Sequence, residues 1–170
     1  MARIQTRTST RDASHSVGAG ISAGVVGALV MGLFGMIVFA IRGQGFFTLP
    51  QVIGAVFMGD EALIYEVWAT LLGFGVHLVT GAVFGVLFAL LARPIHNQSM
   101  RMAAGLAYGA VIFLVMTYGV LPWANPIMAA AIEPGWFFLY HLAFGLVLPL
   151  MLPRREHVRV TYRSRSEVRP

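Results

Sequence analysis

Long apolar runs separated by short polar segments dominate this chain. Four runs contain no Asp, Glu, Lys or Arg, and they cover residues 17–41, 67–92, 102–121 and 135–152. A transmembrane helix needs about 20 mostly apolar residues, and the runs lack the apolar–polar alternation of a membrane β-barrel strand. The pattern therefore predicts an all-α integral membrane protein with a bundle of four helices.

The composition agrees with a bilayer location. Hydrophobic residues make up 58% of the chain and charged residues 11%, with a mean hydropathy of +0.76, whereas soluble domains average about 25% charged residues. The first run is longer than the roughly 7 to 15 residues of a signal-peptide core. We therefore expect it to be a retained helix and not a cleaved leader.

The arginines predict the orientation of the bundle. Eleven of the twelve basic residues lie in the N-terminal tail, the segment 93–101 and the C-terminal tail, and only Arg42 lies on the other side. The positive-inside rule then places both termini in the cytoplasm of a prokaryotic cell, with the protein in the inner membrane. The opposite side collects Trp68, Trp123 and Trp136, which are typical of an interfacial aromatic belt.

An internal repeat is the main organising feature. The segments 19–35 and 104–119 align, and in each half a loop with a proline-led helix start follows. The helix after this loop contains "VHLVTGAVFG" in the first half and "YHLAFGLVLP" in the second. The aligned pairs are Ala19 with Ala104, Gly20 with Gly105, Gly24 with Gly109, Met31 with Met116, His77 with His141, Leu78 with Leu142 and Gly81 with Gly145. The alignment predicts two parallel helix-pair repeats related by an axis along the membrane normal.

These features divide the chain into five segments. They are a basic cytoplasmic tail 1–16, a first helix pair 17–92, a cytoplasmic loop 93–101, a second helix pair 102–152 and an Arg-rich cytoplasmic tail 153–170. Within the first pair, Leu49, Val52, Ile53, Val56 and Phe57 recur at helical spacing, which predicts an outer interfacial helix near 49–58. In the loops, Thr48 before Pro50 and Asn125 before Pro126 have the order of a helix cap and an early proline.

Small residues recur at four-residue spacing and predict where the helices approach each other. Such residues let helix backbones come close in lipid, where apolar burial drives little association. The predicted helix-packing positions are Gly20, Gly24, Gly32, Gly73, Gly81, Gly85, Gly105, Gly109 and Gly145.

His77 and His141 are the candidate site residues. Sixteen residues separate His77 from Arg93 and thirteen separate His141 from Arg154, which correspond to about 24 Å and 20 Å of helix. In a hydrocarbon core about 30 Å thick, both histidines fall in the outer half at similar depth. Three interpretations remain open: hydrogen bonding between helices, ligation of haem b or a (bacterio)chlorophyll, and handling of protons or ions. Tyr108, Tyr118, Thr80 and Thr117 are the hydrogen-bond partners that the sequence suggests.

Several function classes are disfavoured. The chain has no cysteine, which excludes thiolate metal sites and cysteine nucleophiles, and no metal is expected beyond a haem iron. P-loop, HExxH and GxSxG motifs are absent, so we expect no enzymatic activity. The basic tail is explained by topology and anionic lipid without any nucleic-acid partner.

The repeated order of a glycine-rich span, a proline-led outer helix and a His-Leu span resembles small four-span membrane proteins of bacteria and archaea, over residues 17–152. The resemblance implies an accessory or assembly subunit that packs on other membrane subunits, most often of respiratory or other electron transfer, or on copies of itself. It implies no catalytic residues. The competing hypotheses are a haem b or chlorin protein using His77 and His141, and a small transporter.

Overall fold

The computed structural model describes residues 10–153, and this part of the chain is helical with no strand. The α-helices are α1 Thr10–Ile41, α2 Thr48–Met58, α3 Glu66–Leu91, α4 Gln98–Leu114, α5 Leu121–Ala124, α6 Pro126–Ala131 and α7 Pro134–Met151. A 3-10 turn, Gly59–Leu63, follows α2, and a π-helical segment, Val115–Val120, joins α4 to α5. Of the predicted tail 1–16 only the part from Thr10 onward is described, and it already belongs to α1. The tail beyond Pro153 lies outside the described residues.

Four helical segments are long and apolar enough to cross a membrane: Ser16–Ile41, Glu66–Leu91, Gln98–Ala124 and Pro134–Met151. The predictions of an all-α chain and of four spanning helices are confirmed, and they fit a multi-pass membrane protein. The third span ends at Ala124, three residues later than the prediction. The reason is that α4 continues through the π-helical segment into α5 without a break in the helix.

The spanning helices pack in an open ring. Helix α1 packs against α3 on one side and α7 on the other, and α4 packs against the far side of α7. Large apolar side chains such as Leu33, Val79, Val111 and Leu150 are exposed on the outside of this ring. Such faces suit contact with lipid hydrocarbon.

Glycine seams bring two pairs of helices into backbone contact. Between α1 and α3, Gly20 faces Gly85 and Gly24 faces Gly81, and a Cβ on any of these glycines would overlap atoms of the facing helix. Between α4 and α7 the backbones meet at Gly105, Gly109 and Gly145. Such contacts hold helices together in lipid through close packing.

Helices α2 and α6 cover one end of the bundle, which we call the capped end. Gly54 of α2 lies against the carbonyl of Ala69, and Gly73 of α3 lies against the carbonyl of Pro50. These contacts pack α2 closely on α3.

The apolar face predicted for α2 divides between the interior and the outside. Leu49 and Val52 are buried in the core, whereas Phe57 is 74% exposed. The expected Thr48 cap is not formed, because α2 already includes Thr48, whose hydroxyl donates back to the Gln44 carbonyl.

Candidate functional site: a cavity between two histidines

The bundle contains a partly open cavity of about 150 Å³. Its wall is built by all four spanning helices together with α2, α5 and α6, and apolar side chains make up most of it. The polar residues in the wall are His77, Thr80, Asn125, Tyr140 and His141, and no charged residue contributes. The cavity therefore presents a few polar groups on an apolar surface, as small-molecule sites commonly do.

His77 lies on the seam between α3 and α1. Its Nε2 is 2.9 Å from the carbonyl oxygen of Ala28 on the facing helix. Because a carbonyl only accepts, Nε2 carries the hydrogen and the neutral ring keeps Nδ1 as an acceptor. Gly32 leaves room for the ring, since a Cβ at that position would lie 3.2 Å from Nε2. The partner is thus a main-chain carbonyl and none of the side chains suggested by the sequence.

His141 lies in the wall on α7 and is only 4% exposed. Its Nδ1 is 2.8 Å from the carbonyl oxygen of Phe137, one turn earlier in the same helix, so Nδ1–H donates and Nε2 is the acceptor. The ring packs edge-to-face on Phe137 and Phe113, with centroids 4.4 and 6.0 Å apart. These contacts fix the orientation of the imidazole.

The two remaining imidazole nitrogens belong to residues of the cavity wall. Nδ1 of His77 and Nε2 of His141 have no hydrogen-bond partner among the described residues. Neither nitrogen is sealed within packed atoms, and both rings line the cavity. The structure thus brings the two candidate residues to one cavity and leaves an acceptor on each.

Thr117, a suggested partner for the histidines, lies in the π-helical segment. Its Oγ1 is buried and has no hydrogen-bond partner in the described part of the chain. Tyr108, another suggested partner, donates its hydroxyl to the Phe84 carbonyl instead, at 2.9 Å.

The histidines could ligate the metal of a haem or chlorin, but the cavity is smaller than the macrocycle. A ring nitrogen held by a carbonyl, as in His141, is the usual support for a metal-ligating histidine. The cavity volume, however, equals that of an engineered protein cavity that holds benzene, about 150 Å³, and a macrocycle is several times larger than benzene. Nε2 of His77 is also already engaged with Ala28. A macrocycle would require the helices to separate.

The ring of helices is open between α3 and α4. The backbones of these two helices do not approach closely, in contrast to α1 with α3 and α4 with α7. Tyr108 bridges them at the end away from the cap, through its hydrogen bond to Phe84 and a ring contact with Phe88 at 5.3 Å. Val76 and Thr80 of α3, and Met116 and Val120 of the π-helical segment that follows α4, line the cavity.

The predicted packing glycines lie around the cavity and along the two seams. Gly32 and Gly81 line the cavity itself, and Gly73 contacts α2 at the capped end. Gly20, Gly24, Gly85, Gly105, Gly109 and Gly145 lie in the helix seams.

Asn125 is a site residue whose tertiary role the sequence did not reveal. Its Oδ1 accepts from the Met128 N–H at 3.0 Å and caps α6, as the Asn-Pro order indicates. Its Nδ2 also donates to the Val52 carbonyl of α2 at 2.9 Å. Asn125 is 3% exposed, and it joins the two helices that cover the cavity.

The capped end also carries the exposed acidic and aromatic residues. Trp68 and Trp123 are exposed there, at 68% and 77%. Glu133 caps α7, with its carboxylate accepting from the N–H groups of Gly135 and Trp136, both at 3.0 Å. These hydrogen bonds, together with the charge of Arg42, lower the pKa of Glu133. Within residues 10–153 no three His, Asp or Glu side chains cluster as a metal site.

Comparisons with protein-family models, with curated proteins and with solved structures find no match to this chain.

Proposed function

We propose that this protein is a multi-pass accessory subunit of a prokaryotic inner membrane that holds a small apolar molecule in the cavity between His77 and His141. One observation carries the proposal: an apolar cavity of about 150 Å³ lies at the centre of the bundle with two unengaged imidazole acceptors in its wall. Protein interiors rarely keep voids larger than a water molecule. A cavity of this size with oriented polar groups therefore favours a ligand over simple packing.

The repeat is the second part of the proposal, and matched contacts in the two halves support it. Gly24 faces Gly81 in the first half, and Gly109 faces Gly145 in the second. These are the pairs that the sequence alignment makes equivalent. Gly20 against Gly85 likewise corresponds to Gly105 against Pro149. Two parallel helix pairs with both termini in the cytoplasm follow from this alignment and the arginine distribution.

Binding in the cavity is tested with fluorobenzene, a probe of the right size. The full chain is placed in lipid nanodiscs, and binding is followed by 19F NMR against empty nanodiscs. Val120 lines the cavity on the α4 side, and Val111 lies on the lipid face of α4. Val120→Phe should abolish the protein-dependent signal, whereas the control Val111→Phe should leave it unchanged. Equal signals from protein and empty nanodiscs would refute binding of a purely apolar molecule in the cavity.

The accessory role is tested separately. The protein is purified from its native membrane in mild detergent, and co-purifying chains are identified on a gel and by mass spectrometry. Stoichiometric membrane subunits of an electron-transfer complex are the expected result. A homo-oligomer would place the partner surface between copies of this chain, and a lone monomer would refute the accessory role.

Ligation of a haem or chlorin is the alternative that the orientation of His141 favours. It predicts a visible Soret band in the native protein that disappears in the double variant His77→Ala, His141→Ala. A featureless spectrum is expected instead, because the cavity is too small for a macrocycle. A transporter of ions or charged solutes is disfavoured because no charged side chain lines the cavity.

A further inference from the structure

We infer that the cavity selects a hydroxylated aromatic molecule, of the phenol or quinol head-group class, that enters sideways from the lipid between α3 and α4. This inference rests on the proposed ligand-binding function and adds the chemical class of the ligand and its route. Three observations support it: the polar groups in the cavity, the aromatic side chains in its wall and the gap between α3 and α4.

The imidazole nitrogens that remain available are acceptors, and the hydroxyls of Thr80 and Tyr140, whose residues also line the cavity, can accept as well as donate. Each imidazole uses its one N–H on a main-chain carbonyl, so Nδ1 of His77 and Nε2 of His141 offer lone pairs only. Asn125 is committed to α6 and α2 through its Oδ1 and Nδ2. A ligand that pairs both imidazole nitrogens must therefore bring hydrogen-bond donors. Without them, filling the cavity leaves buried acceptors unpaired, which is unfavourable.

The wall suits an aromatic ring. Phe84, Phe137 and Phe144 contribute to it from α3 and α7, together with aliphatic and methionine side chains. Edge-to-face contacts with such rings favour an aromatic ligand over a flexible chain of equal volume. The volume matches a single six-membered ring with small substituents.

The gap between α3 and α4 lies between two of the spanning helices. Tyr108 bridges this gap through its hydrogen bond to Phe84, and Thr80 of α3 and Met116 of the segment that follows α4 both line the cavity. The capped end itself is covered by α2 and α6, which Asn125 joins. A molecule dissolved in the bilayer therefore has a shorter path to the cavity than a molecule in water at the capped end.

Three fluorinated probes of similar size test the inference in nanodiscs containing the full chain: fluorobenzene, 4-fluorophenol and 4-fluorotoluene. The last two differ only by a hydroxyl in place of a methyl group. After correction for partition into empty nanodiscs, 4-fluorophenol should bind at least tenfold more tightly than 4-fluorotoluene. The preference should fall in His141→Leu and in His77→Leu, whereas Leu146→Ala, on the exposed face of α7, should retain it.

The outcomes separate the two proposals. If all three probes bind but 4-fluorophenol has no advantage, the donor-ligand inference is wrong while the binding cavity stands. A hydroxyl preference that survives both histidine variants would also overturn it, because the selecting groups would lie elsewhere. If no probe binds above the empty nanodisc, both proposals fail. If a histidine variant does not fold, the comparison of 4-fluorophenol with 4-fluorotoluene on the natural sequence still shows whether the cavity prefers a hydroxyl group.

The route has its own test. Introducing Thr80→Cys and Met116→Cys into this cysteine-free chain and cross-linking them with a short bifunctional maleimide closes the gap between α3 and α4. Association of 4-fluorophenol should slow at least tenfold in the cross-linked protein and recover when a cleavable linker is cut. An unchanged association rate would overturn entry between these helices.

Discussion

The side chain of His77 donates its Nε2–H to the main-chain carbonyl of Ala28, 2.9 Å away on the facing helix. The bond crosses the glycine seam between α3 and α1, where the two backbones are already in contact. It therefore fixes the orientation of an imidazole that also lines the cavity. One histidine thus contributes to helix packing and to the candidate site.

Replacing this histidine should destabilise the bundle only slightly. In His77→Leu the Ala28 carbonyl keeps its hydrogen-bond partner within α1. We therefore expect the free energy of unfolding to fall by about 0.6 to 1.7 kcal/mol, the range measured for hydrogen bonds between membrane helices. Unfolding in detergent micelles, followed by circular dichroism, measures the change. Val79→Leu, on the exposed face of the same helix, is the control. A loss above about 3 kcal/mol would mean that the seam itself depends on the imidazole.

Two glycines of α3 should respond in opposite ways to the same substitution. A Cβ at Gly85 would meet the backbone of Gly20 and Gly24, whereas a Cβ at Gly75 would meet nothing within 4 Å. We expect Gly85→Ala to lower the free energy of unfolding by about 1–3 kcal/mol, because the added methyl group overpacks the seam. Gly75→Ala should be neutral or stabilise by up to about 1 kcal/mol, because alanine is the better helix former. Equal effects at both positions, measured by thermal unfolding, would contradict the observed seam.

The sequence predicted the helices and much of their packing because both leave a local signal. Apolar runs of about 20 residues define the spans, and Gly20 and Gly24 are spaced so that they fall on one face of α1. Asn125 before Pro126 indicated the start of α6 for the same reason, since a cap depends on residues close in the chain.

The detailed geometry of the histidines depends on distant residues and was not predictable. The repeat aligns Ala28 with Phe113, and the phenyl ring of Phe113 packs on His141 with centroids 6.0 Å apart. His77 therefore reaches the facing helix, whereas His141 turns to Phe137 of its own helix. The cavity had no local signal either, because its wall combines residues from all four spanning helices with residues of α2, α5 and α6.

The two hydrogen-bonding roles of Asn125 can be separated by substitution. Asn125→Ala removes both the cap on α6 and the donor to Val52, so we expect a loss of about 1–3 kcal/mol at this buried position. Asn125→Ser keeps a good capping group, but the serine side chain is too short to reach the Val52 carbonyl of α2. The serine variant should therefore lose less stability than the alanine variant. Thermal unfolding ranks the variants. Equal stability of serine and alanine variants would show that the bond to α2, and not the cap, is what matters.

The cap of α7 should make stability depend on pH. The hydrogen bonds from Gly135 and Trp136 lower the pKa of Glu133 below its usual value of 4.5. The stabilisation is therefore complete above pH 4.5, the value of the unfolded chain, and is lost as pH falls through the lower pKa of the folded protein. Glu133→Ala should lower the Tm at pH 7, and the difference from the natural sequence should vanish in strong acid. Glu61→Ala, on an exposed residue of the 3-10 turn that forms no cap, is the control. A Tm difference that is independent of pH would contradict the role of the carboxylate.

The orientation of the bundle can be read directly because the chain has no cysteine. Asp60 and Ser99 are both exposed. Asp60 lies in the 3-10 turn at the capped end, and Ser99 lies in the first turn of α4 at the opposite end. Since the sequence has eleven of its twelve arginines in the two tails and the segment 93–101, the positive-inside rule predicts that the capped end faces away from the cytoplasm. In intact spheroplasts, a membrane-impermeant maleimide should label Asp60→Cys and not Ser99→Cys, and both should react once the membrane is permeabilised. The reverse pattern would place α2, α6 and the tryptophans on the cytoplasmic side and would reverse the predicted topology.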